Sequence, residues 1–285
     1  MNILLTGANG FIGKYFRKQY APQYNIKTFS FLHDNFASLH VEGIDVVIHL
    51  SALVHQMGGA SIKAYEKVNV KQTLELARKA KESGVGHFIL MSSIKVYGEE
   101  TDFPYREISP TEPQDAYGKS KLKAEQELQN LESENFVVSI IRTPIVYGYG
   151  VKANIKNLIN LIRKVPILPF AGISNKRSFV YIGNLCAMIE KIIATKRSGI
   201  FLAADDAPLS TTKLIEVIAQ YSEKKVFLIA VPLFPELLKW LKPSLYKRLY
   251  ESLEVDNSQT KKLLGFENPY TTEEGIQFMI KGAGN

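Results

Sequence analysis

The chain has 285 residues, enough for one large α/β unit or a domain with a smaller companion. Its composition, 46% hydrophobic, 11% aromatic and 22% charged, is that of a chain that buries a full core, which excludes disorder as the main state. One cysteine excludes a disulfide scaffold and any cysteine-based structural zinc site, and the formal charge of +7 allows an anionic partner without identifying one.

Met1-Asn2 runs directly into Ile3-Leu4-Leu5, with no basic leader, long apolar stretch or small-residue cleavage site. The apolar stretch Val226 to Leu241 is interrupted by Pro232, Pro235, Glu236 and Lys239, so it reads as a strand and then an amphipathic helix. The expectation is a cytoplasmic protein with no membrane insertion.

Short apolar runs predict strands at Ile3–Leu5, Ile26–Phe31, Val46–Leu50, Phe88–Met91, Val137–Ile141 and Ile200–Ala203. Helical periodicity falls between them, near Phe11–Gln19, Ile62–Ser83, Tyr117–Leu131 and Asn184–Thr195. That alternation predicts an α/β fold with a doubly wound parallel sheet of the Rossmann kind. After about residue 150 the pattern changes: Pro166, Pro169 and Gly172 break the chain, and helices are expected at Thr211–Tyr221 and Thr272–Lys281. The expected division is a dinucleotide-binding domain over 1–150 plus about 177–204, with a smaller C-terminal α/β substrate lobe from about 151–176 and 205–285.

Thr6-Gly7-Ala8-Asn9-Gly10-Phe11-Ile12-Gly13 follows the first strand and opens a helix. Glycines three apart let the backbone turn tightly and approach a pyrophosphate, and the helix N-terminus supplies free N–H donors. The predicted second strand ends Thr28-Phe29-Ser30-Phe31, without the acid that would hold ribose hydroxyls in an NAD site; Asp34 lies a turn later. A neutral, hydroxyl-bearing tip at Ser30 tolerates a 2′-phosphate, so the expected cofactor is NADP or NAD, with NADP preferred.

Tyr117 and Lys121 are four residues apart at the start of a predicted helix and share one face. A neighbouring ammonium lowers the pKa of a phenol toward the range where it can exchange a proton near neutral pH. Ser93, just after the predicted strand Phe88–Met91, is placed to hydrogen-bond the same substrate oxygen.

Several stretches then occur in order: the glycine loop at 6–13, His49-Leu-Ser-Ala52, Asn69-Val70, Ser92-Ser-Ile-Lys-Val-Tyr-Gly98, Tyr117-x-x-x-Lys121 and Arg142-Thr-Pro-Ile-Val-Tyr-Gly148. The series resembles the extended short-chain dehydrogenases/reductases of the NAD-dependent epimerase/dehydratase family, which act on nucleotide sugars. Within it the chain looks most like the UDP-glucose 4-epimerase-like branch, including C4 reductases that make UDP-N-acetyl-quinovosamine-type sugars. The resemblance implies Ser93, Tyr117 and Lys121 as the catalytic set. It implies cofactor contacts at Gly7, Gly10, Phe11, Ile12, Gly13, Leu50, Ser51, Ala52, Asn69 and Pro144. Asn154 and Arg177 match positions that hold a nucleotide diphosphate, and Arg248 is a second phosphate clamp. A homodimer through the helices near 62–83 and 117–131 is implied as well.

Departures from the family narrow the chemistry. Sugar 4,6-dehydratases carry an Asp-Glu pair directly after the catalytic hydroxyl residue, where this chain has Ile94 and Lys95. Those residues cannot eliminate water, so dehydratase is excluded. The Asn expected before Val-Tyr-Gly is Ile145. The stretch Leu32 to Gly43 is too short for the usual helix and third strand. His49 and His55 read as structural imidazoles, Cys186 as a small buried residue, and Lys239, Lys242, Lys247 and Arg248 mostly as a solvated helix face. No metal site and no nucleic-acid motif is expected. The favoured expectation is a reductase of a UDP-4-keto-6-deoxy-(N-acetyl)hexose; the alternatives are a UDP-hexose or UDP-N-acetylhexosamine 4-epimerase and a non-catalytic dinucleotide sensor.

Overall fold

The computed structural model describes residues 1–54 and 60–282, so His55 lies outside the described residues. In chain order the elements of the first half are β1 (Asn2–Thr6), α1 (Phe11–Tyr20), β2 (Asn25–Phe29), β3 (Val46–His49), α2 (Ile62–Tyr65), α3 (Gln72–Glu82), β4 (His87–Ser93), α4 (Ala116–Gln129) and β5 (Val137–Thr143). The second half holds β6 (Ile145–Tyr147), α5 (Ala153–Lys164), β7 (Ile167–Leu168), β8 (Phe179–Tyr181), α6 (Ile182–Thr195), β9 (Gly199–Leu202), α7 (Thr211–Tyr221), β10 (Phe227–Leu228), α8 (Phe234–Leu241), α9 (Pro243–Tyr250), α10 (Ser258–Leu264) and α11 (Thr272–Lys281).

Six strands form one parallel sheet in the order β2-β1-β3-β4-β5-β9. Both faces of the sheet are covered, because neighbouring side chains of a strand point to opposite sides. Ile3 and Leu5 of β1, Val46 and Ile48 of β3 and Ile89 of β4 join the core that also holds Phe16 of α1 and Leu185 and Ile189 of α6. Leu4, Val47, Phe88 and Leu90 face the other way, onto Leu76, Ala77 and Ala80 of α3 and Ala124 and Leu128 of α4. The period-two alternation inside each apolar run therefore carries the fold. The stretch 32–43 holds only a short 3-10 turn, Phe36–Ser38, and β3 joins β1 directly. The missing helix and strand were legible as missing length.

The helix expected over Ile62–Ser83 is continuous but not uniform: Glu66–Lys71 between α2 and α3 is π-helical. Wider turns of this kind re-aim side chains, and here the segment contains Asn69.

After β5 the chain makes two small parallel pairs, β6 with β8 and β7 with β10. It then returns through α6 and β9 to the edge of the main sheet. Asp205 fastens these parts together. Its Oδ1 accepts from the Tyr181 amide at 3.0 Å and the Asn184 side chain at 2.8 Å, and its Oδ2 accepts from the Tyr147 hydroxyl at 2.6 Å. All four residues are buried. Replacing Asp205 by Ala leaves the buried Tyr181 amide and one Asn184 N–H without an acceptor, while the Tyr147 hydroxyl keeps the Thr272 carbonyl at 3.1 Å, so Asp205→Ala is expected to lower the unfolding free energy by about 2–4 kcal/mol. Urea unfolding of the two chains reads this directly; a loss under about 1 kcal/mol would mean the junction is held by packing alone.

Candidate active site

The C-terminal ends of β1, β3, β4 and β5 point to one edge of the sheet, where the turn after each strand is free to carry polar groups. The first of these turns is the glycine loop. Gly7 has φ +69°, and a Cβ there would lie 2.8 Å from the Ser51 amide nitrogen; a Cβ on Gly13 would lie 2.4 Å from the Gly7 carbonyl oxygen. Only glycine lets the loop, the turn after β3 and α1 approach this closely. Helix α1 begins at Gly10 with no side chain capping its first N–H groups, and Asn9 and Gly10 are exposed. Uncapped donors on an open, side-chain-free turn fit the pyrophosphate of a dinucleotide. Leu50 and Ser51 sit against this loop: the Leu50 amide donates to the Thr6 carbonyl at 3.3 Å and the Ser51 amide to Thr6 Oγ1 at 3.3 Å. Phe11 and Ile12 turn partly inward onto the core, and Ala52 follows Ser51 half-buried.

At the tip of β2 the structure differs from the sequence expectation. Asp34 is four residues beyond Ser30, yet the chain folds back so that the Ser30 amide donates to Asp34 Oδ2 at 2.8 Å. A carboxylate therefore does stand at the end of this strand. The turn that returns it, with the His33 and Asp34 amides on the Ser30 carbonyl, has no strong sequence signature.

The predicted catalytic residues come together. Ser93 ends β4, and Tyr117 lies in the first turn of α4. The Ser93 hydroxyl stands close enough to the Tyr117 phenol to act on its pKa, and the Tyr65 and Tyr117 ring centres are 6.1 Å apart. Burial raises the Tyr117 phenol above its ordinary value; the Ser93 hydroxyl opposes this, while Asp115 and Tyr65 add to it. Lys121 is buried and donates to the Met91 carbonyl at 2.8 Å. Desolvation pushes its ammonium down to about 8, against the opposing pull of Glu125. Burial, and not the expected lowering by Lys121, is thus the dominant effect on the tyrosine.

Helix α4 is held by residues the sequence reading passed over. Asp115 is its N-cap: Oδ1 accepts from the Gly118 amide at 2.6 Å, and Oδ2 accepts from Lys95 Nζ at 2.7 Å. Lys95 also reaches Glu99 at 2.6 Å. The residue that stands where a dehydratase has an acid here anchors the start of α4. Asp before a helical run is a readable capping signal; its Lys95 partner, twenty residues away, is not. One turn past Lys121, Glu125 is buried against Arg142, with Nη2 to Oε2 at 2.6 Å, and also accepts from the Ser92 hydroxyl. Arg142 lies 4.6 Å from the Tyr97 ring centre.

A hydrogen-bonded relay ties the glycine loop to this helix. Thr73 Oγ1 donates to the Asn69 carbonyl at 2.8 Å, so its remaining capacity is to accept from His49 Nε2 at 2.9 Å. His49 Nδ1 is then the acceptor for the Thr6 hydroxyl at 2.7 Å. Asn69 Nδ2 donates to Ser120 Oγ at 2.9 Å and to the Leu53 carbonyl at 3.0 Å, and Ser120 donates to the Tyr117 carbonyl at 2.7 Å. Asn69 thus sits between the β3 turn and α4.

The predicted nucleotide-sugar residues form a second group. A cavity of about 770 Å³ is lined by Asn154, Arg177 and Arg248, with Ile145, Leu241 and Leu245 among its apolar walls. Arg248 Nη1 donates to Asn154 Oδ1 at 3.3 Å. Arg177 is buried, with Nη1 donating to the Glu251 carbonyl at 2.9 Å and the Lys247 carbonyl at 3.3 Å, and burial lowers it to about 10. The two groups meet through the chain itself: Thr143 pairs with Ser93 in the sheet, buried Pro144 follows, and Ile145 reaches the cavity wall. Among the described residues no cluster of three His, Cys, Asp or Glu side chains could hold a metal ion, and no helix is long and apolar enough to cross a membrane.

A glycine loop on β1 with a Ser, Tyr and Lys set at the end of β4 defines a nicotinamide-dependent enzyme of the short-chain dehydrogenase/reductase type. The model of the NAD dependent epimerase/dehydratase family matches residues 3–202, and the chain belongs to that family. It is 35% identical to a UDP-glucose 4-epimerase of Vibrio cholerae over 308 aligned residues, covering 97% of this chain and 93% of the relative. It is 25% identical to N-acetyl-alpha-D-glucosaminyl-diphospho-ditrans,octacis-undecaprenol 4-epimerase of Escherichia coli O157:H7, covering 96% and 93% of the two chains. Its fold matches that of the UDP-glucuronic acid 4-epimerase of Bacillus cereus in complex with NAD, with a TM-score of 0.80 at 19% identity over 99% and 98% of the two chains.

The buried His49 generates a pH prediction. Burial, with Lys121 nearby, lowers its pKa to about 3, and burial lowers His87 to about 4. An imidazole depressed below its unfolded value, near 6.5, stabilises the fold fully above that pH and less as pH falls toward the folded pKa. The chain is therefore expected to lose stability steadily from pH 6.5 to pH 4. His49→Asn, less stable at pH 7, should lose less over the same interval. Parallel curves for the two chains in urea titrations would contradict the assignment.

Proposed function

We propose that the chain is a 4-epimerase of a UDP-linked hexose or N-acetylhexosamine, working with NAD. The observation that carries the reading is Tyr117 beside Ser93 at the sheet edge, on the same helix as Lys121 and across from the glycine loop. Two considerations favour the epimerase over the C4 reductase that the sequence alone favours. The Asp34 carboxylate at the tip of β2 suits ribose hydroxyls and repels a 2′-phosphate, which argues for NAD rather than NADP. The relatives similar over nearly the whole chain are 4-epimerases by name.

In this reading Gly7, Gly10 and Gly13 and the first turn of α1 hold the pyrophosphate, with Ser30, Leu50, Ser51, Ala52 and Pro144 along the cofactor. When bound, NAD⁺ supplies the acceptor and later the donor of the sugar C4 hydrogen, and its ring carries positive charge. Ser93 hydrogen-bonds the C4 oxygen and fixes its distance from the phenol. Tyr117 takes the C4 hydroxyl proton and returns it after the sugar has turned over. Lys121 stands one turn away as the cation that favours the phenolate, against the burial that holds the phenol neutral. Asn154, Arg177 and Arg248 take the diphosphate in the cavity, within a substrate lobe formed by about 151–176 and 205–285. With Ile94 buried and Lys95 paired to Asp115, there is no acid to eliminate water after oxidation at C4.

Tyr117→Phe removes the group that handles the C4 proton in this reading. Its rate of interconverting a UDP-sugar with its C4 epimer should fall by a factor of about 10²–10⁴, with cofactor content and melting temperature held. Turnover within tenfold of the parent chain would remove Tyr117 from the mechanism.

A further inference from the structure

The surface of the C-terminal half carries an apolar ridge that neither the core nor the proposed site uses. Helix α8 is anchored by Phe234, whose ring stands 6.2 Å from that of Phe170. Continuing the same apolar face, Leu237 and Leu241 lie three and seven residues on from Phe234, with Leu233 and Trp240 at its border, and all four project into solvent, Leu233 at 76% exposure and Trp240 at 79%. A surface helix ordinarily turns polar residues outward; here Glu236 and Lys239 stand opposite the apolar face, which is itself left open, and none of the helix's residues is buried. Phe227 of β10 and its register partner Ile167 of β7 are exposed as well.

The segment that carries the ridge is basic. Between residues 224 and 248 there are six Lys and Arg against the single acid Glu236. Lys247 pairs with Glu100 and Arg248 bonds Asn154, both toward the protein. Lys224, Lys225, Lys239 and Lys242 are exposed.

We propose that the α8–α9 hairpin docks on an anionic lipid bilayer, with Trp240 and the flanking leucines in the headgroup–acyl boundary and these four lysines against acidic headgroups. Short helices with a Trp and Leu face and a lysine rim lie in the membrane interface by this physics. A second copy of the chain suits the ridge less well. A two-fold interface would bring like-charged lysine rims together. The corner between α8 and α9, where Leu241, Lys242 and Leu245 wall the substrate cavity, lies beside the ridge. On a bilayer that corner sits at the lipid surface, so the cavity opens beside the membrane. The inference rests on the surface alone and stands whichever C4 reaction the site performs.

Trp240 is the only tryptophan in the chain and therefore reports on the ridge without labelling. The full-length protein would be titrated with vesicles of phosphatidylcholine and phosphatidylglycerol at about seven to three, following tryptophan emission and flotation. The expected result is a blue shift of Trp240 with co-flotation. Both should be lost in Leu237→Glu, a change at an exposed position that leaves the circular dichroism melt in place. Lys224→Gln with Lys225→Gln should weaken vesicle binding by about tenfold or more. Unchanged emission with no flotation would overturn the proposal. So would a blue shift that grows with protein concentration in the absence of vesicles, which would assign the ridge to a second copy.

Discussion

A buried, neutral histidine sets the geometry on which the rest of the site depends. His49 ends β3 between the hydroxyls of Thr6 and Thr73, and each hydroxyl has one proton to give. Thr73 gives its proton to the Asn69 carbonyl, so the imidazole must donate from Nε2 and accept at Nδ1. The tautomer is fixed by its neighbours, and burial lowers the imidazole's pKa far enough to keep it uncharged. Through this ring the end of β1, where the glycine loop starts, is tied to the π-helical turn that carries Asn69, and through Ser120 to the backbone of Tyr117. A charged imidazole would have to donate from both nitrogens and would break the chain of acceptors at Thr6.

Behind Tyr117 a second buried set works by charge. Glu125 and Arg142 face each other between α4 and β5, and Glu125 also takes the hydroxyl proton of Ser92, the neighbour of Ser93. A buried ion pair is weak evidence for stability, because desolvation offsets much of its attraction. Its consequence here is positional. It fixes α4 against the ends of β4 and β5, and it keeps a carboxylate one turn from the ammonium of Lys121. Tyr117 therefore sits between a neutral relay on one side and a charged network on the other. Neither network touches the cavity where Arg177 and Arg248 stand.

Much of this was legible in the sequence because it is written in local patterns. The apolar runs, the glycines at 7, 10 and 13 and the four-residue step from Tyr117 to Lys121 each depend on near neighbours alone. The gathering of Ser93 and Tyr117 follows from placing one at a strand end and the other at a helix start. What was not legible depends on long-range closure. Asp34 looked too late for the tip of β2 because the returning turn has no signature residue, and the preference for NADP was drawn without that carboxylate. Arg142 and Glu125 are seventeen residues apart, and a lone pair of charges at that spacing is ordinarily solvated. Lys95 read only as the absence of a dehydratase acid, whereas folding makes it the anchor of the Asp115 cap.

The central claim, that one constellation removes and restores the hydrogen at C4 within a single bound sugar, has a direct test. The protein as purified, with no cofactor added, would be incubated with a UDP-hexose in D₂O and followed by proton NMR. Internal return of the same hydrogen predicts an equilibrium mixture of the two C4 epimers with no deuterium at C4. Conversion that occurs only with added NADPH, and consumes it in equal amount, would contradict the account and restore the reductase.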